Sequence, residues 1–314
     1  MVTSLPKVFA LLGPTASGKT SLALNLAAQF PVEIISLDSA LIYRDMNIGT
    51  AKPTATEQQA VPHHLIDIIS PLECYSAAQF VSDCVRLAKE IHSRGHLPLL
   101  VGGTMMYYHA LTQGLSSLPE ANPHIRAELE KLKQQHGMDY LYTLLQKVDP
   151  ITAARLPAGD SQRIERALEI YHITGIPMSS HLANQQNQQP SVDVCTLALL
   201  PADRAHLRVQ IGTRFHTMLA QGFVEEVQAL RLQYPDLHSD LPSMRCVGYR
   251  QAFDYLNGII DYDTFVERSI VATRQLAKRQ LTWLRKLNPQ HMLDPFNPAG
   301  LFEQTAHLMQ QFFS

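Results

Sequence analysis

In the first third of the chain, short apolar runs alternate with stretches of helical periodicity. Val8 to Leu12, Glu33 to Leu37 and Leu97 to Val101 have the length and composition of buried strands. Apolar residues recur at helical spacing in Ser21 to Gln29, after the first run, and in Ser76 to Ser93, before the third. Strands that alternate with helices predict an α/β fold with a parallel sheet covered by helices on both faces.

The pattern changes at about residue 118. From Leu118 to about Gln189 the chain is polar and helix-rich, without a convincing buried strand, and its last residues, Gln185 to Pro190, predict a linker or mobile loop. Strand character returns at Val192 to Leu200, and helical patterns follow to the end. We therefore expect an α/β core in two parts, residues 1–118 and 191–314, interrupted by an all-helical insertion domain at residues 119–190.

Composition is consistent with one core and a large insertion. The chain has 314 residues, of which 46% are hydrophobic, enough for a sizeable core. No apolar run approaches the roughly 20 residues of a membrane helix, and the N-terminus lacks the regions of a signal peptide, so we expect a cytoplasmic protein. The four cysteines are scattered without a CxxC pair, which argues against a zinc knuckle and a disulfide framework.

The net charge of −2 does not predict nucleic-acid binding, but the distribution of charge changes that picture. Six basic residues and one acid lie between Glu267 and Lys286. Arg274, Lys278 and Arg285 share one helical face, apart from an apolar stripe on the same predicted helix. This basic face either contacts RNA phosphates or is an ordinary solvated surface.

A phosphate-binding loop follows the first predicted strand. Its residues match the pattern GxxxxGK[ST] between a strand and a helix start: Gly13, Pro14, Thr15, Ala16, Ser17, Gly18, Lys19 and Thr20. Backbone N–H groups and the helix N-terminus attract phosphate oxygens, Lys19 adds a point charge, and Thr20 offers a hydroxyl to Mg²⁺. The loop predicts a diphosphate or triphosphate ligand without specifying which.

Asp38 is the single acid at the end of a predicted strand in the first part of the core. The carboxyl edge of a parallel sheet faces the ligand crevice, so Asp38 is a candidate metal ligand or general base. A helix cap ahead of Ser39 is the structural alternative. The third strand ends at Gly102-Gly103-Thr104 and carries no acid there, unlike an ordinary P-loop nucleotide hydrolase.

Seven further segments, in order along the chain, resemble the signatures of the bacterial tRNA dimethylallyltransferase (IPP transferase) family. They are Asp38 to Arg44, Ile48 to Pro53, Pro62 to Asp67, Gly102 to Thr104, Asp160 to Glu169, Gly248 to Gln251 and Thr273 to Trp283. The resemblance implies a P-loop core like that of nucleotide kinases, with a helical insertion. It implies transfer of a dimethylallyl group from dimethylallyl diphosphate to N6 of an adenosine beside the tRNA anticodon, with Mg²⁺ and without ATP hydrolysis. We expect a monomer.

The resemblance also assigns roles. Asp38 matches the family's base and Arg214 an arginine at the diphosphate, while Lys19 and Mg²⁺ on Thr20 or Ser17 would stabilise the leaving group. The positions that would contact the tRNA anticodon stem-loop are Asp38, Ser39, Ala40, Leu41, Thr104, Arg126, Gln162, Arg163, Ile164, Glu165, Arg166, Arg245, Cys246, Val247, Gly248, Tyr249 and Arg250. Among these, Arg163 and Arg166 are i, i+3 neighbours able to grip phosphates, and Tyr249 is a candidate for stacking on a base.

Two positions depart from the family pattern. Leu41 stands where the family usually carries Gln, and the usual His and Asn before the Gln-Arg-Ile segment are replaced around Pro157 to Asp160. The adjacent His63 and His64 lack a third ligand nearby, so we assign them to structure or substrate positioning rather than to a metal site.

Two other functions fit parts of the pattern. A small-molecule or nucleotide kinase would also use a P-loop core with a helical lid, but it would consume ATP. A non-catalytic, nucleotide-gated RNA-binding protein would bind tRNA without modifying it. Neither accounts for the segments that follow the phosphate-binding loop.

Overall fold

A computed structural model describes residues 5–114, 118–183 and 189–314. The chain divides into two compact units, one formed by residues 1–113 and 190–314 and the other by Gly114–Gln189. The second unit begins five residues before the insertion expected from sequence and ends one residue before it. Most of the polar stretch interpreted as a linker, residues 185–188, lies outside the described residues.

The larger unit contains a six-stranded parallel sheet in the order β3-β2-β4-β1-β5-β6. Its strands are β1 (Lys7–Leu12), β2 (Val32–Leu37), β3 (His63–His64), β4 (Leu97–Gly102), β5 (Asp193–Leu199) and β6 (His291–Leu293). The α/β class with a parallel sheet is therefore confirmed. The strands β3 and β6, with two and three residues, are too short to show a periodic pattern in the sequence.

Helices account for most of the remaining chain. They are α1 (Lys19–Ala27), α2 (Ala55–Ala60), α3 (Ala77–Ser93), α4 (Met105–Gln113), α5 (Pro123–His136), α6 (Met138–Val148), α7 (Pro150–Ala153), α8 (Ser161–Thr174), α9 (Met178–Ala183), α10 (Arg204–Ala220), α11 (Phe223–Gln233), α12 (Tyr249–Leu256), α13 (Tyr262–Leu287) and α14 (Leu301–Phe313), with a 3₁₀ turn at Ser243–Arg245. Among the described residues, none of these helices has the length and hydrophobicity needed to cross a bilayer.

The central strand β1 is buried on both faces of the sheet. Val8, Ala10 and Leu12 belong to the apolar cluster that includes α3 and α4. Phe9 and Leu11, at the alternate positions, belong to the cluster that includes α1 and α14. Side chains of a strand point alternately to opposite faces, so a continuous apolar run requires helices on both sides, as the sequence predicted.

The smaller unit is helical throughout its described residues and has its own core. Helices α5 to α9 lie in it. Leu129, Leu141, Leu145, Ile164 and Leu168 are buried there together. The absence of strands from described residues 118–183 agrees with the helical interpretation of the sequence.

A buried carboxylate joins two strands and a loop at the end of the sheet where β2 and β4 begin. The side chain of Glu33, in β2, is only 4% exposed. Arg94 donates to both of its oxygens, at 2.9 and 2.7 Å. His64 and His96 lie within hydrogen-bonding distance of it, at 2.7 and 2.8 Å. His64 therefore has a structural partner, as the sequence suggested for the histidine pair, and His63 bonds the Val61 carbonyl.

We expect Glu33→Gln to remove a defined part of the pH dependence of stability. The hydrogen bond from Arg94 outweighs burial and lowers the pKa of Glu33 from 4.5 to about 2. The stability that this carboxylate contributes is therefore present above pH 4.5 and is lost as the pH falls from 4.5 to about 2. The shift corresponds to roughly 3 kcal/mol.

Chemical denaturation at several pH values measures this contribution. The free energy of unfolding of Glu33→Gln should lie below that of the wild type at neutral pH, and the difference should vanish at the acidic end of the window. Glu303→Gln, at an exposed position of α14, is the matched control. A difference that is constant with pH would contradict the assignment.

Candidate active site

The phosphate-binding loop spans the turn from β1 to α1, as predicted. Gly18 has φ of 80° at the N-cap of α1, a conformation that favours glycine. Ala16 also has positive φ, at 62°. Backbone turns of this kind orient successive N–H groups toward one point and form an anion-binding concavity. The first turn of α1, with Lys19 and Thr20, adds the partial positive charge of a helix N-terminus.

Ser17 provides a hydroxyl without a partner in this loop. The residue is 2% exposed, and its Oγ makes no hydrogen bond with any described residue. Gly13 leaves room for it, because a Cβ at Gly13 would lie 2.7 Å from that oxygen. An unsatisfied buried hydroxyl costs about 1–3 kcal/mol. A phosphate oxygen or a hydrated Mg²⁺ is the partner that this loop chemistry would supply.

Lys19 lies in an environment that disfavours its own charge. Burial, reinforced by the nearby positive charge of Arg214, lowers its pKa from 10.5 to about 7, and the negative charge of Asp38 opposes the shift. Its ammonium donates to the carbonyl of Pro14 at 2.7 Å. A half-buried cation whose pKa is lowered by a second cation favours an anion beside the pair.

Arg214 reaches the same site from α10. Burial lowers the pKa of its guanidinium, and Asp38 opposes the shift. It is not an ordinary surface arginine, because the side chain is half-buried and interacts electrostatically with both Lys19 and Asp38. The tertiary structure thus brings together three predicted catalytic residues that are widely separated in sequence.

Asp38 follows β2 at the carboxyl edge of the sheet. Its Oδ1 accepts from the backbone N–H of Ala40 at 2.8 Å and from that of Leu41 at 3.4 Å. Oδ2 makes no hydrogen bond with any described residue. No helix begins at Ser39, so Asp38 is not a helix cap. One oxygen fixes the local turn and the other is left to accept from a ligand.

Thr104, one of the predicted tRNA contacts, lies beside this turn. Its hydroxyl accepts from the backbone N–H of Ser39 at 3.1 Å. The N–H groups of Gly103 and Thr104 donate to the carbonyl of Leu37, at 3.2 and 3.1 Å. Gly102 permits this approach, because a Cβ there would lie 2.1 Å from the Leu37 oxygen.

The segments Ile48 to Pro53 and Pro62 to Asp67 support the turn that follows Asp38. Lys52 is almost fully buried and donates to the carboxylate of Asp67, to the Asn47 side chain and to the Tyr43 carbonyl. The N–H of Asp67 in turn donates to the Leu41 carbonyl at 3.1 Å. These two segments therefore have a structural role that the sequence alone did not reveal.

The turn at residues 245–250 is only partly available for RNA. Arg245 and Arg250 are exposed, whereas Cys246 and Val247 are half-buried and Gly248 is buried. Burial raises the pKa of the Cys246 thiol to about 12, and the negative charge of Asp38 contributes. This electrostatic influence places the turn beside the predicted base.

Tyr249 corrects the expectation that its ring stacks on a base. It is 0% exposed, and its hydroxyl donates to Glu226 Oε1 at 2.5 Å. Its ring packs edge-on against Phe223, with centroids 5.1 Å apart. Gly49 makes room for this packing, because a Cβ at that position would lie 2.6 Å from the tyrosine ring. Stacking on RNA is therefore not available to Tyr249 in this conformation.

Glu226, in α11, is a structural residue of this region that was not found from sequence. Besides the Tyr249 hydroxyl, its carboxylate accepts from three consecutive backbone N–H groups, those of Asn47, Ile48 and Gly49, at 2.9, 2.6 and 3.2 Å. The carboxylate thereby joins the loop after Asp38 to the start of α12.

In the helical insertion, two of the predicted RNA-binding arginines have a buried partner. Glu169 is 1% exposed and accepts from Arg126 at 2.9 Å and from Arg166 at 2.6 Å. Arg166 also donates to the Pro119 carbonyl at 2.5 Å. Arg163 is 70% exposed and pairs with Asp160. Arg163 and Arg166 therefore do not act as an equivalent pair, and of these two Arg163 is the more exposed to solvent.

The remaining predicted positions of the insertion differ in exposure. Gln162 is exposed, while Ile164 is fully buried in the helical core. Glu165 accepts from Lys133 at 2.9 Å and from the hydroxyl of Ser161. The side chain of Ile164 therefore cannot contact RNA without unfolding the insertion core, whereas contacts by Gln162 and Glu165 stay predictions.

The basic face of α13 is present as predicted. The exposed basic residues are Arg274, Lys278, Arg279, Arg285 and Lys286. None of them forms an ion pair with a described residue. Ala277, Leu281 and Leu284 of the same helix are buried and form a separate apolar stripe.

A second bridging residue, Gln280 in α13, was also missed by the sequence analysis. The side chain of Gln280 contacts the backbone of both Thr15 and Gly103. Its position within the Thr273 to Trp283 segment was the one available signal.

No group of three or more His, Cys, Asp or Glu residues in the described chain is arranged to hold a metal ion.

Comparison with known proteins agrees with this geometry. A model of the IPP transferase family matches residues 41–287. The chain is 59% identical over 308 residues to the tRNA dimethylallyltransferase of Neisseria meningitidis serogroup A, and the alignment covers 98% of each protein.

Two solved structures are similar over nearly the whole chain. The crystal structure of the full-length tRNA isopentenylpyrophosphate transferase from Bacillus halodurans is 33% identical, with a TM-score of 0.68 and 98% of both chains covered. A eukaryotic dimethylallyltransferase acting on tRNA is 26% identical, with a TM-score of 0.78, and the match covers 96% of this chain and 76% of that one. On this agreement between the site, the family match and the relatives, the protein belongs to the IPP transferase family.

Proposed function

We propose that the protein transfers the dimethylallyl group of dimethylallyl diphosphate to N6 of the adenosine beside the tRNA anticodon and releases diphosphate. The observation that carries this proposal is the convergence of two cations and one carboxylate at the carboxyl edge of the sheet. Lys19 and Arg214 suit an anionic leaving group, and Asp38 suits an amine that must lose a proton. Family membership supports the same reaction.

The donor half of the reaction uses the phosphate-binding loop. As the bond from the allylic C1 to the bridging oxygen breaks, its electron pair stays on the diphosphate. Lys19, Arg214 and the loop N–H groups would stabilise that growing negative charge, an effect worth several kcal/mol in a site that excludes water. The hydroxyls of Ser17 and Thr20 would hold Mg²⁺, which adds positive charge to the leaving group when bound.

The acceptor half uses Asp38. The lone pair of the adenine amine is delocalised into the ring, so the amine is a weak nucleophile until its proton is removed. As the N6–C1 bond forms, the proton passes to Asp38 Oδ2, which has no other hydrogen-bonding partner in the described chain. Oδ1 keeps the carboxylate in place through the N–H groups of Ala40 and Leu41.

The RNA half of the site combines exposed basic groups with the turn at Asp38. Arg245, Arg250 and the basic face of α13 are exposed cations of the core. Contacts of this type hold the RNA backbone without reading its sequence. The target adenine must leave its stack to reach Asp38, as bases do in other nucleic-acid-modifying enzymes.

Mass analysis of RNA tests the proposal. The wild-type protein is incubated with labelled dimethylallyl diphosphate, Mg²⁺ and unmodified tRNA, and the digested nucleosides are analysed. We expect a labelled adenosine whose formation requires all three components. ATP consumption in a parallel reaction without tRNA, together with unmodified adenosine, would instead indicate a kinase.

A further inference from the structure

Gln280 links the phosphate-binding loop to the loop after β4 through one side chain. Its Oε1 accepts from the N–H of Thr15 at 2.8 Å. Its Nε2 donates to the carbonyl of Gly103 at 3.0 Å. The side chain is half-buried on α13, and both ends of the amide are occupied by backbone groups more than 170 residues away in sequence.

The backbone around Gln280 leaves room for a side-chain amide and offers it one donor and one acceptor. A Cβ at Gly103 would lie 2.4 Å from Gln280 Nε2 and 3.0 Å from the carbonyl of Gly13. The N–H of Gly13 also donates to the carbonyl of Gly102 at 3.3 Å. The two loops therefore touch directly and through Gln280. A carboxylate here would lack the donor for Gly103, and an apolar side chain would leave both backbone groups unsatisfied.

The bridge continues to the turn that carries the base. The residue after Gly103 is Thr104, whose hydroxyl accepts from the N–H of Ser39. Ser39 follows Asp38 directly. Gln280 thus lies between the loop that would hold the diphosphate and the turn that would hold the carboxylate.

Helix α13 packs against other elements of the site. Ala277 and Leu281, on either side of Gln280, are buried in one cluster with Leu207 and Ile211 of α10. Ala16 of the phosphate-binding loop packs against this cluster. Arg214 lies on the same helix α10. The backbone that presents Gln280 is therefore held against both the loop and the helix of Arg214.

We propose that Gln280 is a positioning residue for the transfer step, an inference that rests on the proposed function. The diphosphate fixes C1 through the phosphate-binding loop, and Asp38 fixes the amine. The bridge sets the separation of these two elements and therefore the distance over which N6 attacks C1. Displacements of about 1 Å in such an approach cost roughly 10²-fold in rate.

Gln280→Met has similar size and no amide, so it tests the bridge. We expect turnover at saturating dimethylallyl diphosphate and tRNA to fall by roughly 10- to 100-fold, with the dissociation constants of both substrates changed by less than about threefold. Gln275→Met, at an exposed position of the same helix, is the matched control and should keep wild-type turnover. Thermal unfolding of each variant confirms that folded protein is compared.

Gln280→Glu adds a readout that a purely structural role would not affect. A carboxylate can still accept from Thr15 but cannot donate to Gly103, whereas the protonated acid can do both. The ratio of its turnover to that of the wild type should therefore rise as the pH falls from about 8 to about 5.5. Gly103→Ala should slow transfer as Gln280→Met does, and the double variant should be no slower than either, because both break one bridge.

The outcomes separate this inference from the function on which it rests. An active wild type with Gln280→Met turnover within twofold would overturn the positioning role alone. Weaker binding of either substrate with unchanged saturating turnover would also overturn it, because Gln280 would then be a binding residue. An inactive wild type would overturn both. If Gln280→Met is not folded, additive effects of Gly103→Ala and Gln280→Glu would count against the bridge.

Discussion

Asp38→Asn is expected to lower turnover at saturating substrates by about 10²–10⁴-fold, the usual contribution of a general base. An asparagine can still accept from the N–H groups of Ala40 and Leu41 through its side-chain oxygen, so the turn should persist. It cannot take the proton of the adenine amine. Single-turnover measurement of prenylated adenosine with excess protein isolates the chemical step from product release.

Binding measurements distinguish loss of chemistry from loss of substrate. The affinities of Asp38→Asn for tRNA and for dimethylallyl diphosphate should stay close to those of the wild type. Asp263→Asn, at an exposed position in the first turn of α13, should keep full turnover. If Asp38→Asn turns over at the wild-type rate, the proton leaves the amine by another route and Asp38 is not the base.

Lys19→Met is expected to lower turnover by about 10²–10³-fold, comparable to the loss of one donor to a developing negative charge. It should also weaken binding of dimethylallyl diphosphate, because the ammonium interacts with both the bound substrate and the leaving group. The rate constant under single-turnover conditions and the dissociation constant of the donor are measured separately. Lys89→Met, at an exposed position of α3, is the control.

The pH dependence of donor binding identifies Lys19 specifically. In the free protein, burial and the positive charge of Arg214 hold the pKa of Lys19 at about 7. About half of the Lys19 side chains are therefore protonated at neutral pH. A bound diphosphate favours the protonated form and raises this pKa. Affinity for the donor should therefore fall as the pH rises above 7, with net proton uptake on binding.

Calorimetry in buffers of different ionisation enthalpy measures that proton uptake directly. In Lys19→Met the proton uptake assigned to this group should disappear, and the decline in affinity above neutral pH should flatten. Uptake that persists in the variant would assign the titration to another group.

The comparison of Tyr249 with Asp38 shows where inference from sequence succeeds. Asp38 could be placed because the carboxyl ends of parallel strands line one crevice, whatever the details of packing. Tyr249 was assigned to RNA because a tyrosine in a basic turn suits stacking. Its burial depends on the ring of Phe223, on the space left by Gly49 and on the carboxylate of Glu226. No local pattern indicates those three contacts.

The arginines of the insertion illustrate the same difference. Spacing along α8 correctly placed Arg163 and Arg166 on one helix, and spacing is a local property. Only the packing of α5 against α8 brings Arg126 to the carboxylate that also binds Arg166. Glu169 itself was part of a recognised segment, yet its neighbours in sequence do not show that it would be buried.

Local sequence patterns were sufficient to predict the parallel sheet, the phosphate-binding loop, the acid after β2 and the basic face of α13. Each depends on periods of two or 3.6 residues or on a contiguous motif, which short-range interactions fix. The hydrogen-bonding partners of Glu33, Glu226 and Gln280 could be identified only from the tertiary structure. A glutamate or glutamine is compatible with many positions on a helix or strand, and its role is set by which backbone groups distant segments bring within about 3 Å.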